Sequence, residues 1–117
     1  MYRNQEFERP TAALSRPNCK VWGFTEASVI RDWLDNYIWY SGLALTTSAN
    51  TLIVSRNRVV VEVLRHHNLG WIFIANFLSV SLRRAQQYHQ EFKCKDLLCS
   101  IEGQMIRACI KNRFISY

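Results

Sequence analysis

Hydrophobic and polar positions divide the chain into segments of different character. Residues 1 to 24 show no sustained period and contain Pro10 and Pro17, so they read as an irregular leader that packs Val21, Trp22 and Phe24 onto the rest. Thr25 is a candidate cap before Glu26. Val29, Ile30, Trp33, Leu34, Tyr37 and Ile38 then recur at helical intervals until Ser41-Gly42, which predicts an amphipathic helix with a glycine stop. From Leu43 to Arg58 the pattern is mixed. Thr46, Thr47, Ser48 and Asn50 favour a loop and Leu52-Ile53-Val54 a short helix or strand, so the stretch is read as a bent helix. Val59 to Leu64 is β-branched enough for a strand and fits a short helix equally well. Asn68 is a candidate cap. Leu69 to Val80 is apolar on nearly every side, with Asn76 and Ser79 the polar exceptions, which predicts a helix at the centre of the fold that runs on in more polar form to about Gln90. After Glu91 to Lys95, Asp96 opens a last helix with Leu97, Leu98, Ile101, Met105, Ala108, Cys109 and Ile110 along one face.

With 117 residues the chain is long enough for one core, and the expected organisation is the leader, 1–24, followed by a single all-α domain, 25–117. Hydrophobic residues make up 49% of the chain, which argues for a folded protein. The apolar run before Arg83-Arg84 is too short to cross a bilayer, and no membrane tail is expected.

A net charge of +6 brings acidic partners into consideration. The Lys and Arg residues are scattered, with no run longer than Arg83-Arg84, which fits solvated helix faces better than a phosphate track. The alternative of a basic helical nucleic-acid binder would rest on Arg56, Arg58, Arg65, Arg83 and Arg84. Exposed Tyr37, Trp39 and Tyr40 would favour a homo-oligomer.

The sequence begins without a signal-peptide pattern, so Cys19, Cys94, Cys99 and Cys109 are expected as reduced thiols of an intracellular, cytoplasmic protein. Cys94, Cys99 and His89 match no standard zinc spacing, and neither a metal nor another cofactor is expected. The phosphate-binding, dinucleotide-binding and hydrolase motifs are absent, and no nucleophile, base and orienting group can be assembled, so the chain is not expected to be an enzyme.

One set of residues resembles a known family. Val60-Val61-Glu62-Val63-Leu64, six intervening residues, then Trp71, Ile74 and Phe77-Leu78 are similar to the first homology region of the Bcl-2 apoptosis regulators, where Val-Val-x-x-Leu, six residues, Trp-Gly-Arg-Ile and an aromatic pair follow one another. Asp32-Trp33-Leu34, with Tyr37 and Ser41-Gly42 behind, is similar to that family's first helix, and Leu98 to Ile115 resembles its sixth. The resemblance implies a Bcl-2-like helical bundle with a central hydrophobic helix, a shortened second and third helix region and no membrane tail, closer to viral homologues than to cellular ones. It also implies an anti-apoptotic role at the host–virus interface, in which a hydrophobic groove sequesters the death helices (homology region three) of pro-apoptotic relatives. The groove would be lined by Val60, Val63, Leu64, His67, Gly70, Phe73, Asn76 and Phe77. Partners would be those death helices and, in addition, a second copy of the chain, with any recruitment to mitochondria passing through partners. The family's groove arginine, which takes the aspartate of an incoming helix, has no equivalent here, because Ile72 and Phe73 follow the tryptophan; Arg65, His66 and His67 are the nearest cations in sequence. Narrow ligand choice follows.

Overall fold

The structure, a computed structural model, describes residues 23–115. Apart from its last two positions the expected leader lies outside them, as do Pro10, Pro17, Cys19, Val21 and Trp22. The described residues form six helices and no strand: α1 Phe24–Tyr40, α2 Leu43–Thr46, α3 Ala49–His66, α4 Trp71–Leu78, α5 Leu82–Lys93 and α6 Ile101–Lys111. The all-helical class is as expected. None of these helices is long and apolar enough to cross a membrane.

The cap of helix α1 lies two residues before the Thr25 expected from sequence. Gly23 is its N-cap, and the Glu26 carboxylate accepts a hydrogen bond from the Gly23 N–H at 2.9 Å. Ala27, Ile30, Leu34 and Ile38 form its buried stripe. The stop is where the glycine put it: Ser41 closes the helix, and Gly42 takes φ +80°, the left-handed region glycine enters without strain.

The stretch read as a bent helix is resolved differently. A single turn, α2, is followed by Ser48, whose hydroxyl accepts from the Thr51 N–H, and from there α3 runs unbroken for 18 residues. The β-branched run is its second half. Val59, Val60, Val61, Val63 and Leu64 are all fully buried, so burial on every side decides for helix over the local preference for strand.

The centre of the fold is therefore α3, packed by α1, α5 and α6 and touched by α2 and α4. The position expected for Leu69 to Val80 belongs to it instead. Asn68 is not a cap but a left-handed turn residue at φ 65°, and Gly70 caps α4. That helix has only eight residues. Ser79 turns left-handed at φ 58° and Ser81 caps a separate α5, so the expected continuous helix is broken. Ile74, Ala75 and Phe77 of α4 face the core, while Ile72 is 71% exposed.

Helix α6 begins at Ile101, five residues later than Asp96, with Ser100 as its cap. The segment before it lies so close that a Cβ on Gly103 would stand 1.7 Å from the Leu97 carbonyl oxygen. Only glycine fits that approach.

Candidate functional site

The eight groove residues inferred from the family resemblance do not lie on one surface. Val60, Val63 and Leu64 have no exposed area and form the core around α3. His67, just past the end of α3, is half-buried, with Nε2 2.6 Å from the Phe114 carbonyl oxygen. Because a carbonyl only accepts, Nε2 carries the proton and donates, so the ring ties the residues after α6 to the end of α3. Gly70 is an exposed cap. Phe73, Asn76 and Phe77 remain together on α4, at i, i+3 and i+4.

Around these three residues the fold adds two that no local pattern joins to them. Phe24, the first residue of α1, meets Phe77 edge to face with centroids 5.3 Å apart and is itself 62% exposed. Phe73 and Phe77 lie parallel at 6.2 Å. Arg31, two turns along α1, places its guanidinium 4.5 Å from the centroid of Phe77. Among the described residues Arg31 has no carboxylate partner. Phe24, Ile72, Phe73 and Asn76 thus form an accessible face of apolar and amide groups beside a cation with no acidic partner among the described residues. No local signal marks Arg31 or Phe24, since each depends on α1 and α4 meeting at Phe77.

The cations expected to stand in for the groove arginine are used otherwise. Arg65 lies 4.8 Å over Trp71 and donates to the Leu69 carbonyl at 2.9 Å, which closes the turn between α3 and α4. His66 and His67 meet edge to face at 5.7 Å.

The arginines of the nucleic-acid alternative are divided. Arg56 pairs with Asp35 at 2.9 Å, and Arg58 with both Glu91 and Glu102 at 2.8 Å. Arg84 covers Tyr88. Arg83 borders an open polar hollow of about 660 Å³ with Trp71, Gln86, Gln87, His89 and Gln90. The His89 ring is held by Glu62 at 3.1 Å and meets Trp71 edge-on.

Among the described residues the Arg58 cluster is the most buried charge arrangement. Glu102 is 2% exposed, on α6, and faces Arg58 of α3, with Lys95 at 3.9 Å. Burial works to raise its carboxyl, but its own backbone N–H, Arg58, the Lys95 charge and the Ser55 hydroxyl together hold it below the ordinary value. Burial likewise opposes the charge on Arg58, and the two carboxylates overcome it and raise its affinity for the proton. Such a cluster, fully compensated, locks α3, α5 and α6 together and offers no vacant valence for chemistry.

Cys94 and Cys99 are exposed free thiols, and burial pushes the Cys109 thiol up to about 12. Among the described residues no group of three His, Cys, Asp or Glu side chains is placed to hold a metal ion. Set against known protein families, curated proteins and solved structures, the chain matches none of them.

Proposed function

We propose that this chain acts by binding an amphipathic helix of another protein, and that its ligands are the death helices of pro-apoptotic Bcl-2 relatives, which it sequesters so that cell death is delayed. The observation that carries the reading is Arg31: a guanidinium without an acidic partner among the described residues, set beside an accessible face of Phe24, Ile72, Phe73 and Asn76. A helix with hydrophobes at i and i+3 or i+4 and one carboxylate beyond them would satisfy both parts of that face. Arg31 would then take the part of the groove arginine missing after Trp71. The Bcl-2 identity of the ligand comes from the sequence resemblance. With Val60, Val63 and Leu64 in the core, contacts would fall on α4 and the start of α1.

The test is calorimetric titration with a panel of death-helix peptides, using wild type, Phe73→Ala and Arg31→Gln. Saturable one-to-one binding is expected, weakened roughly ten- to hundredfold by Arg31→Gln, and a peptide whose aspartate is replaced by alanine should lose the same factor with wild type but nothing further with Arg31→Gln. A panel that shows no binding sinks the proposal. A second reading, nucleic-acid binding, has the hollow formed by Trp71, Arg83 and three glutamines in its favour. It would be supported by binding to single-stranded oligonucleotides that weakens steeply with salt.

A further inference from the structure

Away from the Phe24–Phe73 face, at the opposite end of α1, the chain presents a surface of a different kind. Residues 36 to 55 contain no charged side chain, the longest such run in the sequence, whereas a chain that is 21% charged would place about four there. The run covers the end of α1, all of α2 and the first turns of α3, and much of it is on the surface. Trp39 is 73% exposed and Tyr40 90%, with Leu45 and Ile53 exposed beside them. Surface helices in water ordinarily carry charge; an uncharged, aromatic surface is the composition of an interface core.

The shape admits a contact between two like surfaces. Ile38, Trp39, Ala44, Leu52 and Ile53 line an open cleft of about 380 Å³, and Trp39 both borders it and projects from it. A twofold axis beside the cleft would seat the indole of each copy in the hollow of the other, an isologous exchange in which knob and hole belong to one surface. Among the described residues the only charges lining the cleft, Asp35 and Arg56, neutralise each other at 2.9 Å, so two copies of a +6 protein can meet here without a repelling charge at the contact. The four exposed side chains offer on the order of 600 Å² per copy, and the surrounding Thr, Ser and Asn positions bring the contact toward the roughly 800 Å² per partner of a stable complex. A bilayer is a poorer match, because the surface is hollow and its one cation is paired, leaving nothing for anionic headgroups.

From these features we infer that the α1–α2–α3 corner is the face through which two copies of this chain associate, with Trp39 as the central contact. Sedimentation equilibrium over a range of concentrations tests it, using wild type, Trp39→Arg and Leu98→Arg, the last placing the same charge on an exposed site elsewhere. Circular dichroism confirms that each variant folds. Wild type and Leu98→Arg should follow one monomer–dimer equilibrium, and Trp39→Arg should weaken it by roughly thirtyfold or more. A wild type that is monomeric throughout, or a dimer indifferent to Trp39→Arg, overturns the inference. So does a monomer that floats with phosphatidylcholine vesicles through Trp39, which would make the corner a membrane contact. Peptide capture at Phe73 and Arg31 is a separate result, and either can fail while the other stands.

Discussion

Replacing Arg58 by Met keeps the apolar stem and removes the charge, and its cost is set by what remains around Glu102. That carboxylate is 2% exposed and loses its 2.8 Å partner. It keeps the Lys95 ammonium at 3.9 Å, the Ser55 hydroxyl and its own backbone N–H, and none of these replaces the 2.8 Å contact with Arg58. Leaving one member of a buried pair without its partner costs about 3–5 kcal/mol, a large share of the stability of a domain this size. Glu102→Gln should cost less, about 1–3 kcal/mol, because Arg58 retains Glu91 at 2.8 Å and its side chain reaches solvent. Glu91→Gln should cost least, about 1 kcal/mol or less, since that carboxylate is a third exposed. The double variant Arg58→Met/Glu102→Met removes both charges and should recover most of the loss, because a buried pair replaced by apolar side chains of similar size is close to neutral.

Urea unfolding followed by circular dichroism gives all four values, and the single variant Glu102→Met closes the cycle for the coupling energy. The same cluster sets an acid limit. Glu102 titrates lower in the folded protein than its ordinary 4.5, so its contribution is complete above that value and is lost as the pH falls through the lower folded one. The loss of stability below pH 4.5 should be shallower in Glu102→Gln than in wild type. Arg58→Met costing no more than Glu91→Gln, or a double variant as unstable as the worse single one, would refute the claim that the burial of Glu102 is what makes Arg58 indispensable.

Two further outcomes follow from the same part of the fold. Gly103→Ala would drive a Cβ to 1.7 Å from the Leu97 carbonyl, so the segment before α6 must move; a loss of about 3 kcal/mol or more in urea unfolding is expected, and a loss under 1 kcal/mol would mean that the approach is not close. In a Cys19→Ser background, Cys94 and Cys99 should react promptly with a thiol reagent at neutral pH while Cys109, buried and raised to about 12, reacts only at the rate of unfolding. Prompt reaction of all three would show that the α6 core opens freely.

The sequence was most legible where a local rule and burial agree. Gly42 ends α1 because no other residue enters the left-handed turn so cheaply, and the stripe Ile30, Leu34, Ile38 is one a lone helix would also display. It misled where the two diverge. Val59 to Leu64 is β-branched by propensity and helical by burial, and only its encasement by α1, α5 and α6 settles the choice, a fact no window of sequence contains. The apolar run from Leu69 pointed to a central helix, yet Ser79 and Ser81, turn and cap, lie within it. The switch there from apolar to polar residues was the available sign of a break.

The candidate site shows the same division. Phe73, Asn76 and Phe77 could be grouped from their spacing alone, whereas Arg31 reaches Phe77 only because α1 and α4 meet, 46 positions apart in the chain. Charge supplies a further distinction. Three arginines among the described residues are used up inside the fold: Arg56 and Arg58 on carboxylates, Arg65 on a turn carbonyl and an indole. Counting cations therefore overstates what the protein can offer an anionic polymer, and the informative ones are those left without a partner once the helices have packed. Arg31 beside Phe77, with no ion pair among the described residues, is what the proposed helix-binding face rests on, and the uncharged run from 36 to 55 is what the inferred self-association rests on.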